Sequence, residues 1–390
     1  MSLQSRREYL AKIRGRYGRA GRRPKSLILE EFCANCGYHR KHALRLVNGK
    51  GTAAKERPGP KPLYDEEVVQ VLKRVWLESD QLCSKRLISA LALWMPFLKV
   101  PLARQKQMRG MSAATMDRLL RPFRAEHRRK RLGGTKPGRW LKHQIPIRTS
   151  HWDIKQPGFM EADTVAHGGD SMEGDFIWTL TFTDVCTGWT QCRAVWNKGS
   201  SGIQAQIKQL EEELPFPIQA FDCDNGSEFL NHALWGYFTK RKQPCGFTRS
   251  RPNHKNDNAH VEQKNWTHVR QLFGYERLDQ PELVALMNEI YSQEWHWFQN
   301  FFCPTMKLEK KQRIGARYHR AYEKARTPYA RLMESREVSA EQKGLLRGIF
   351  EGLNPLKLKE RLEQKLSRTF ELIKKKQSQV FRRSTAGVAS

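Results

Sequence analysis

The sequence predicts a multidomain protein, with all-α units at the N-terminal end, an α/β core in the middle and a basic, helical region at the C-terminal end. Three observations carry that prediction. The 390 residues are enough for two or three domains with separate cores. Apolar residues recur at three- and four-residue spacing before residue 125, alternate between about 158 and 250, and return to helical spacing beyond 281. Charge is unevenly spread: the formal net charge is +30, yet residues 158 to 225 hold eleven Asp/Glu against three Lys/Arg.

Composition narrows the function. Hydrophobic content of 39% and eleven Trp favour a folded chain over a disordered one. Seventy Lys+Arg spread along it predict nucleic-acid binding that weakens steeply with salt. A membrane is the competing polyanion, but the longest apolar run, Leu87 to Leu98, is too short to span and is interrupted by Ser89. MSLQSRREYL holds no apolar signal-peptide stretch, so the expectation is a cytoplasmic, nucleoid-associated protein whose eight Cys are reduced thiols.

Residues 1 to 25 carry nine Lys/Arg against Glu8 alone. Gly15, Gly18 and Gly21 argue against a firm helix, so this reads as a basic arm. Residues 26 to 56 read as a helix-turn-helix. Phe32, Cys33, Cys36, Tyr38, Ala43 and Leu46 supply the packing positions, Gly37 the turn, and His39, Arg40, Lys41 and Arg45 the groove-facing side. Cys33, Cys36, His39 and His42 also invite a zinc reading, but four ligands within ten residues at helical spacing wrap one ion poorly. RPGPKPLY (57 to 64) is a stiff basic hinge.

A second helical DNA-binding unit is expected over 65 to 125. Asp65 caps a helix bearing Val68, Val69, Leu72, Val75 and Trp76, another runs from Ser84 to Trp94, and Ser112 caps a third that buries Met116, Leu119 and Leu120 and exposes Arg118 and Arg121. Residues 126 to 157 read as a basic tether. Beyond it GFMEADTV and DFIWTLTFTDV read as strands, and Thr187-Gly188 turns the chain into TQCRAVW. Then come a helix at 203 to 214, the strand IQAFDCD, a helix near 227 to 241, the strand CGFTRSR, and a helix from about Asn258 to Gly274. This βββαβα then βα order, within 158 to 302, matches a ribonuclease-H-like sheet. After an aromatic-rich helix from Pro281 to Phe302, the region 303 to 390 opens with an aperiodic basic stretch to 334. Two amphipathic helices follow, the second aligning Leu358, Leu362, Leu366 and Ile373, and the last residues look frayed.

Three acids stand apart inside the core: Asp163 in GFMEADTV, Asp224 in FDCDNGSEF and Glu262 in KNDNAHVEQKN. Carboxylates repel phosphodiesters, so a basic protein that gathers them where DNA binds needs divalent cations in between. Two Mg2+, with Mn2+ as substitute, would activate the nucleophile and neutralise the leaving oxygen. Asp163 is read as the bridging ligand. Asp222 and Glu161 share strand parity with Asp224 and Asp163, but Asn225-Gly226 exposes Asp224 at a strand end. Asp184 reads as a turn residue.

The set resembles the acidic triad of DDE transposases and retroviral-type integrases. DNGSEF, TRSRP and KNDNAHVEQKNW are similar to strings in bacterial insertion-sequence transposases with an integrase-type core. The likeness spans roughly 135 to 330, including KPGRWLKHQIPIRT and KARTPYARLM. It implies Asp163, Asp224 and Glu262 as catalytic metal ligands, with Asn258 and Lys264 near the DNA end. Asp224 and Glu262 stand slightly further apart than in the retroviral enzymes, and the histidines-before-cysteines zinc module of those enzymes has no counterpart here. The function expected is a transposase that binds the ends of a mobile element, frees 3'-hydroxyls and joins them to target DNA as a homo-oligomer. The alternatives are a DNA-binding regulator with an inactive core and a ribonuclease-H-like nuclease that cuts without joining.

Overall fold

The computed structural model describes residues 1–49, 63–127, 154–224, 226–249 and 259–386. The chain divides into two units, Met1–Leu63 and Tyr64–Ser390.

The first unit is three helices: α1 (Leu3–Arg19), α2 (Arg22–Cys36) and α3 (Arg40–Asn48). Ile13, Ile28, Leu29, Phe32, Cys36, Ala43 and Val47 are buried together, with Tyr9, Leu10 and Tyr17 packed on them. The basic arm expected over 1 to 25 is therefore corrected: α1 is a firm helix of the same core as α2 and α3. Its glycines cost helix propensity, but the stripe of Tyr9, Leu10, Ile13 and Tyr17 gives it a face to bury, and burial outweighs about 1 kcal/mol per glycine. Gly37 closes α2 at φ 67°, as the turn between α2 and α3 requires. The hinge at 57 to 64 lies, except for Leu63 and Tyr64, outside the described residues.

The second unit opens with α4 (Glu66–Glu78), α5 (Ser84–Trp94), α6 (Leu102–Arg109) and α7 (Ala113–Glu126). Asp65 and Ser112 accept hydrogen bonds from Val68 and Thr115 N–H as the caps of α4 and α7. These helices do not stand alone, as a separate DNA-reading unit would. Trp94 is fully buried, donates from Nε1 to the Phe302 carbonyl at 3.1 Å and meets the Phe298 ring edge-on, while Arg86 donates to the Pro304 carbonyl. The tether expected at 126 to 157 falls, over 128–153, outside the described residues.

The core sheet holds β1 (Phe159–Ala166), β2 (Ile177–Asp184), β3 (Thr190–Trp196), β4 (Ala220–Cys223) and β5 (Gly246–Arg249), in the order β3-β2-β1-β4-β5. The first three strands run antiparallel, and β4 and β5 run parallel to β1. Parallel neighbours need helical crossovers, supplied by α8 (Ser200–Glu213) and α9 (His232–Thr239). Residues 226–231 form turns where the start of a helix was expected. This is the ribonuclease-H-like topology.

Asp184 is the turn residue foreseen: its carboxylate accepts from Gly158 N–H, Thr187 N–H and Thr187 Oγ1. A helix carrying Glu262 follows β5, as α10 (Ala259–Lys264), a π-helical stretch Asn265–Arg270 and α11 (Gln271–Phe273), and it closes at Gly274 with φ 71°. Next, α12 (Leu283–Ile290) continues through π-helical segments to Phe302. Two of its asparagines finish the edge of β3: Asn288 exchanges two hydrogen bonds with the Ala194 backbone, and Asn300 two with that of Thr190. A sheet edge that would otherwise offer bare N–H and C=O groups is thereby closed.

The stretch read as aperiodic is a hairpin, β6 (Leu308–Ile314) and β7 (Arg317–Tyr322), followed by α13 (Pro328–Glu334). Helices α14 (Ala340–Gly352) and α15 (Pro355–Ala386) complete the unit. The described helix reaches Ala386, and residues 387–390, at the end read as frayed, lie outside the described residues. Leu358, Leu362 and Ile373 are buried and Leu366 is packed against them, so the predicted face is local packing. Among the described residues no helix is long and apolar enough to cross a membrane.

Candidate active site

Strand register brings the first two acids together. Ala162 lies opposite Cys223 across the parallel β1/β4 pair, so Asp163 and Asp224 stand next to each other where β4 ends. Thr164 N–H donates to Asp163 Oδ1 at 2.7 Å, and Gly226 N–H to Asp224 Oδ1 at 2.9 Å. Enclosure of the Asp163 carboxyl by protein, then the charge of Asp224, and more weakly that of Glu262, push its pKa up to about 7. Asp224 is raised too, by burial first and then by Glu228. Glu262 is exposed on α10.

The competing acids have other work. Glu161 accepts from the Val261 backbone N–H at 3.1 Å, holding the start of α10 against β1, and Asp222 accepts from Thr248 Oγ1 at 2.6 Å. Both are buried.

Two neighbours, Asn265 and Glu228, escaped the sequence reading. Asn265 Nδ2 donates to Asp163 Oδ2 at 2.6 Å; standing three residues after Glu262, it shares that side of the helix, which was the available signal. Glu228, inside DNGSEF, is buried beneath the loop after Asp224. Its Oε1 accepts from Thr164 Oγ1 at 2.9 Å and pairs with Lys198 Nζ at 2.7 Å. A Cβ on Gly226 would collide with this pinned carboxylate, which explains the glycine. Among the described residues, Asn265 Oδ1 and Glu228 Oε2 are buried with no hydrogen-bond partner.

This donor set suits a hard divalent cation. It is all oxygen, its acids repel one another, and two buried oxygens beside it are unsatisfied. Among the described residues no group of three acid, histidine or cysteine side chains is already closed around one point.

Of the residues expected to touch DNA, His39, Arg40, Lys41 and Arg45 are exposed on the first unit. His39 also caps α3 through Lys41 N–H, and Arg40 pairs with Glu30. Arg118 and Arg121 are exposed on α7, and Asn258 lies outside the described residues. Lys264 requires correction. It is buried, its Nζ donates to the Gly188 carbonyl at 3.3 Å, and burial, then Arg86 and Arg331, push its pKa down to about 7. Two residues turn a helix by about 200°, so when Glu262 faces out Lys264 faces the core.

Fold and site together define a protein with a ribonuclease-H-like core and paired carboxylates at the end of its β1/β4 strands. The chain belongs to the family of the "Uncharacterized protein y4rM" of Sinorhizobium fredii (strain NBRC 101917 / NGR234). The two are 38% identical over 344 residues, covering 85% of this chain and 96% of that protein. No protein-family model matches. Among solved structures, the catalytic core domain of BIV integrase is 14% identical with a TM-score of 0.28, covering 46% of this chain and 95% of that one. A chain of the simian T-cell lymphotropic virus intasome in complex with PP2A regulatory subunit B56 gamma is 13% identical with a TM-score of 0.28, covering 54% and 68%. The fold is defined by the strand order given above, not by these partial overlaps.

Proposed function

We propose that this protein is a transposase of the DDE type, a metal-dependent enzyme that frees 3'-hydroxyls at the ends of a DNA element and joins them to target DNA. The observation that carries the reading is the pairing of Asp163 with Asp224 at adjoining strand ends, with the charge of Glu262 reaching Asp163, in a chain of net charge +30. Asp163, Asp224 and Glu262 are the residues that would hold two Mg2+. Bound there, the ions would supply charge neutralisation at the attacking and leaving oxygens and an activated nucleophile.

The chain's own groups set the geometry. Asn265 and Thr164 fix the orientation of the Asp163 carboxylate, Gly226 that of Asp224, and Glu161 ties α10, with Glu262 on it, to β1. The exposed cations of the three-helix unit and of α7 would bind the element ends, contributing mostly phosphate contacts. Bringing two ends together calls for a homo-oligomer on DNA, and holding the 3'-hydroxyl beside its target makes the joining step effectively intramolecular.

The test is strand transfer of a 3'-ended oligonucleotide into plasmid DNA with Mg2+ or Mn2+. Joined product from the wild type, falling to background in Asp224→Asn while duplex binding persists, is the expected result. Binding without product in either metal would favour a regulator, cutting without joining a nuclease, and product surviving Asp224→Asn would remove the mechanism.

A further inference from the structure

The β6–β7 hairpin has no place in the reading so far. Residues 308–322 hold five Lys/Arg against the single acid Glu309, and every residue from 309 to 322 whose side chain is described is exposed. Among the described residues of 309 to 322 none is buried against the rest of the chain, although a lone two-stranded ribbon is marginal in water. Its register puts Lys311 opposite Arg320, and like charges on opposing positions weaken a hairpin. Among the described residues Lys310, Arg317 and Arg320 are paired with no carboxylate. So many cations on an unpacked ribbon are explained by an external polyanion.

The root of the ribbon is built in the opposite way. Thr305 and Arg326 exchange two backbone hydrogen bonds, and Glu323 joins Arg326, Arg331 and the Lys307 N–H. Buried Arg331 donates to the carbonyls of Thr187 and Thr305, and Lys307 Nζ to that of Cys186. Cys186 and Thr187 belong to the β2–β3 turn, whose Gly188 carbonyl takes the Lys264 ammonium from the helix that bears Glu262. An exposed cationic ribbon is thus bolted, through one turn, to the back of the candidate catalytic helix.

We propose that the β6–β7 ribbon is a duplex-DNA clamp, which grips the phosphates with Lys310, Arg313, Arg317 and Arg320 and holds the double helix in fixed relation to the acids. A two-stranded ribbon is of a width that the major groove admits, and seven residues of strand reach about 23 Å, past the roughly 12 Å of that groove. A membrane surface fits less well, because the exposed apolar residues Ile314 and Tyr322 sit at opposite ends of the ribbon and form no face. The assignment rests on the reading of the chain as acting on DNA.

The test compares the full-length wild type with Arg313→Ala/Arg317→Ala/Arg320→Ala by fluorescence anisotropy on a labelled duplex, across a series of NaCl concentrations and without divalent metal. The expected result is a slope of log affinity against log salt smaller by about 3, affinity at least about tenfold weaker, and an unchanged melting temperature, since none of the three is packed. Replacing the same residues with Lys is expected to restore the slope. Unchanged slope and affinity in the alanine variant would overturn the clamp, and if that variant still joined DNA normally the transposase reading would survive it. Loss confined to phosphatidylserine vesicles would also overturn it, and a wild type that bound no duplex at low salt would overturn both.

Discussion

Two rungs of carboxylate cross the same pair of strands two residues apart, and they behave differently. Glu161 lies opposite Asp222 in the β1/β4 register; both are buried, and each accepts a hydrogen bond from the protein, from Val261 N–H and Thr248 Oγ1 respectively. The next rung, Asp163 and Asp224, shares the parity but stands where β4 has ended, partly open, with Asp163 driven up to about 7 by enclosure and by its neighbour's charge. The inner rung is mortar for α10 and β5. The outer one stores repulsion that a cation would relieve. Acidic character and alternation are the same for both, and the end of the strand decides between them.

If the outer rung is a metal site, its supports should matter most. Removing the Glu228 carboxylate (Glu228→Ala) or its partner's charge (Lys198→Met) is expected to weaken Mn2+ binding by about 10- to 100-fold, measured by electron paramagnetic resonance titration. Lys198→Met sharpens the comparison, because simple charge counting has loss of a nearby cation tightening metal binding. Tighter binding would show that the ion pair does not hold Glu228 in place beside the outer rung. At the inner rung the effect should fall on stability. Glu161→Ala leaves the Val261 N–H without its acceptor and is expected to cost about 1–3 kcal/mol, read by chemical denaturation, with Mn2+ affinity of the folded protein preserved.

The smallest effect concerns pH. In the folded chain Asp163 keeps its proton up to about 7, whereas the unfolded chain releases it near 3.8, so without metal stability falls as pH rises between those values. Asp163→Asn is therefore expected to raise the melting temperature above pH 7, by about 2–4 °C for each kcal/mol relieved, and to lose that advantage as pH falls toward 3.8. An advantage that grew in acid would contradict the assignment.

Much of this architecture was legible because strong local signals agreed with tertiary packing. The Thr and aromatic content of DFIWTLTFTDV, the Thr187-Gly188 turn, the Asp184 turn carboxylate and the Asp65 and Ser112 caps all work locally, and each is where the residues placed it. Helix α1 was obscured because glycine propensity was weighed without the partner surface of α2 and α3. The ribbon was obscured for a different reason: polar on both faces, it has no alternation to detect. Lys264 was placed near DNA by the resemblance alone, whereas helical phase, counted from Glu262, puts it inside. Asn265 and Glu228 were in plain view, but their role depends on reaching across to Asp163 and Thr164 from elements distant in sequence.

The central claim is that Asp163, Asp224 and Glu262 share divalent cations, and anomalous scattering from Mn2+-soaked crystals of the full chain tests it most directly. Manganese density against the Asp163 and Asp224 oxygens, with Glu262 drawn in and the Asn265 amide released from Asp163 Oδ2, is the result this account predicts. Crystals that take up Mn2+ elsewhere while Asp163 stays bonded to Asn265 and its neighbour empty-handed would contradict it.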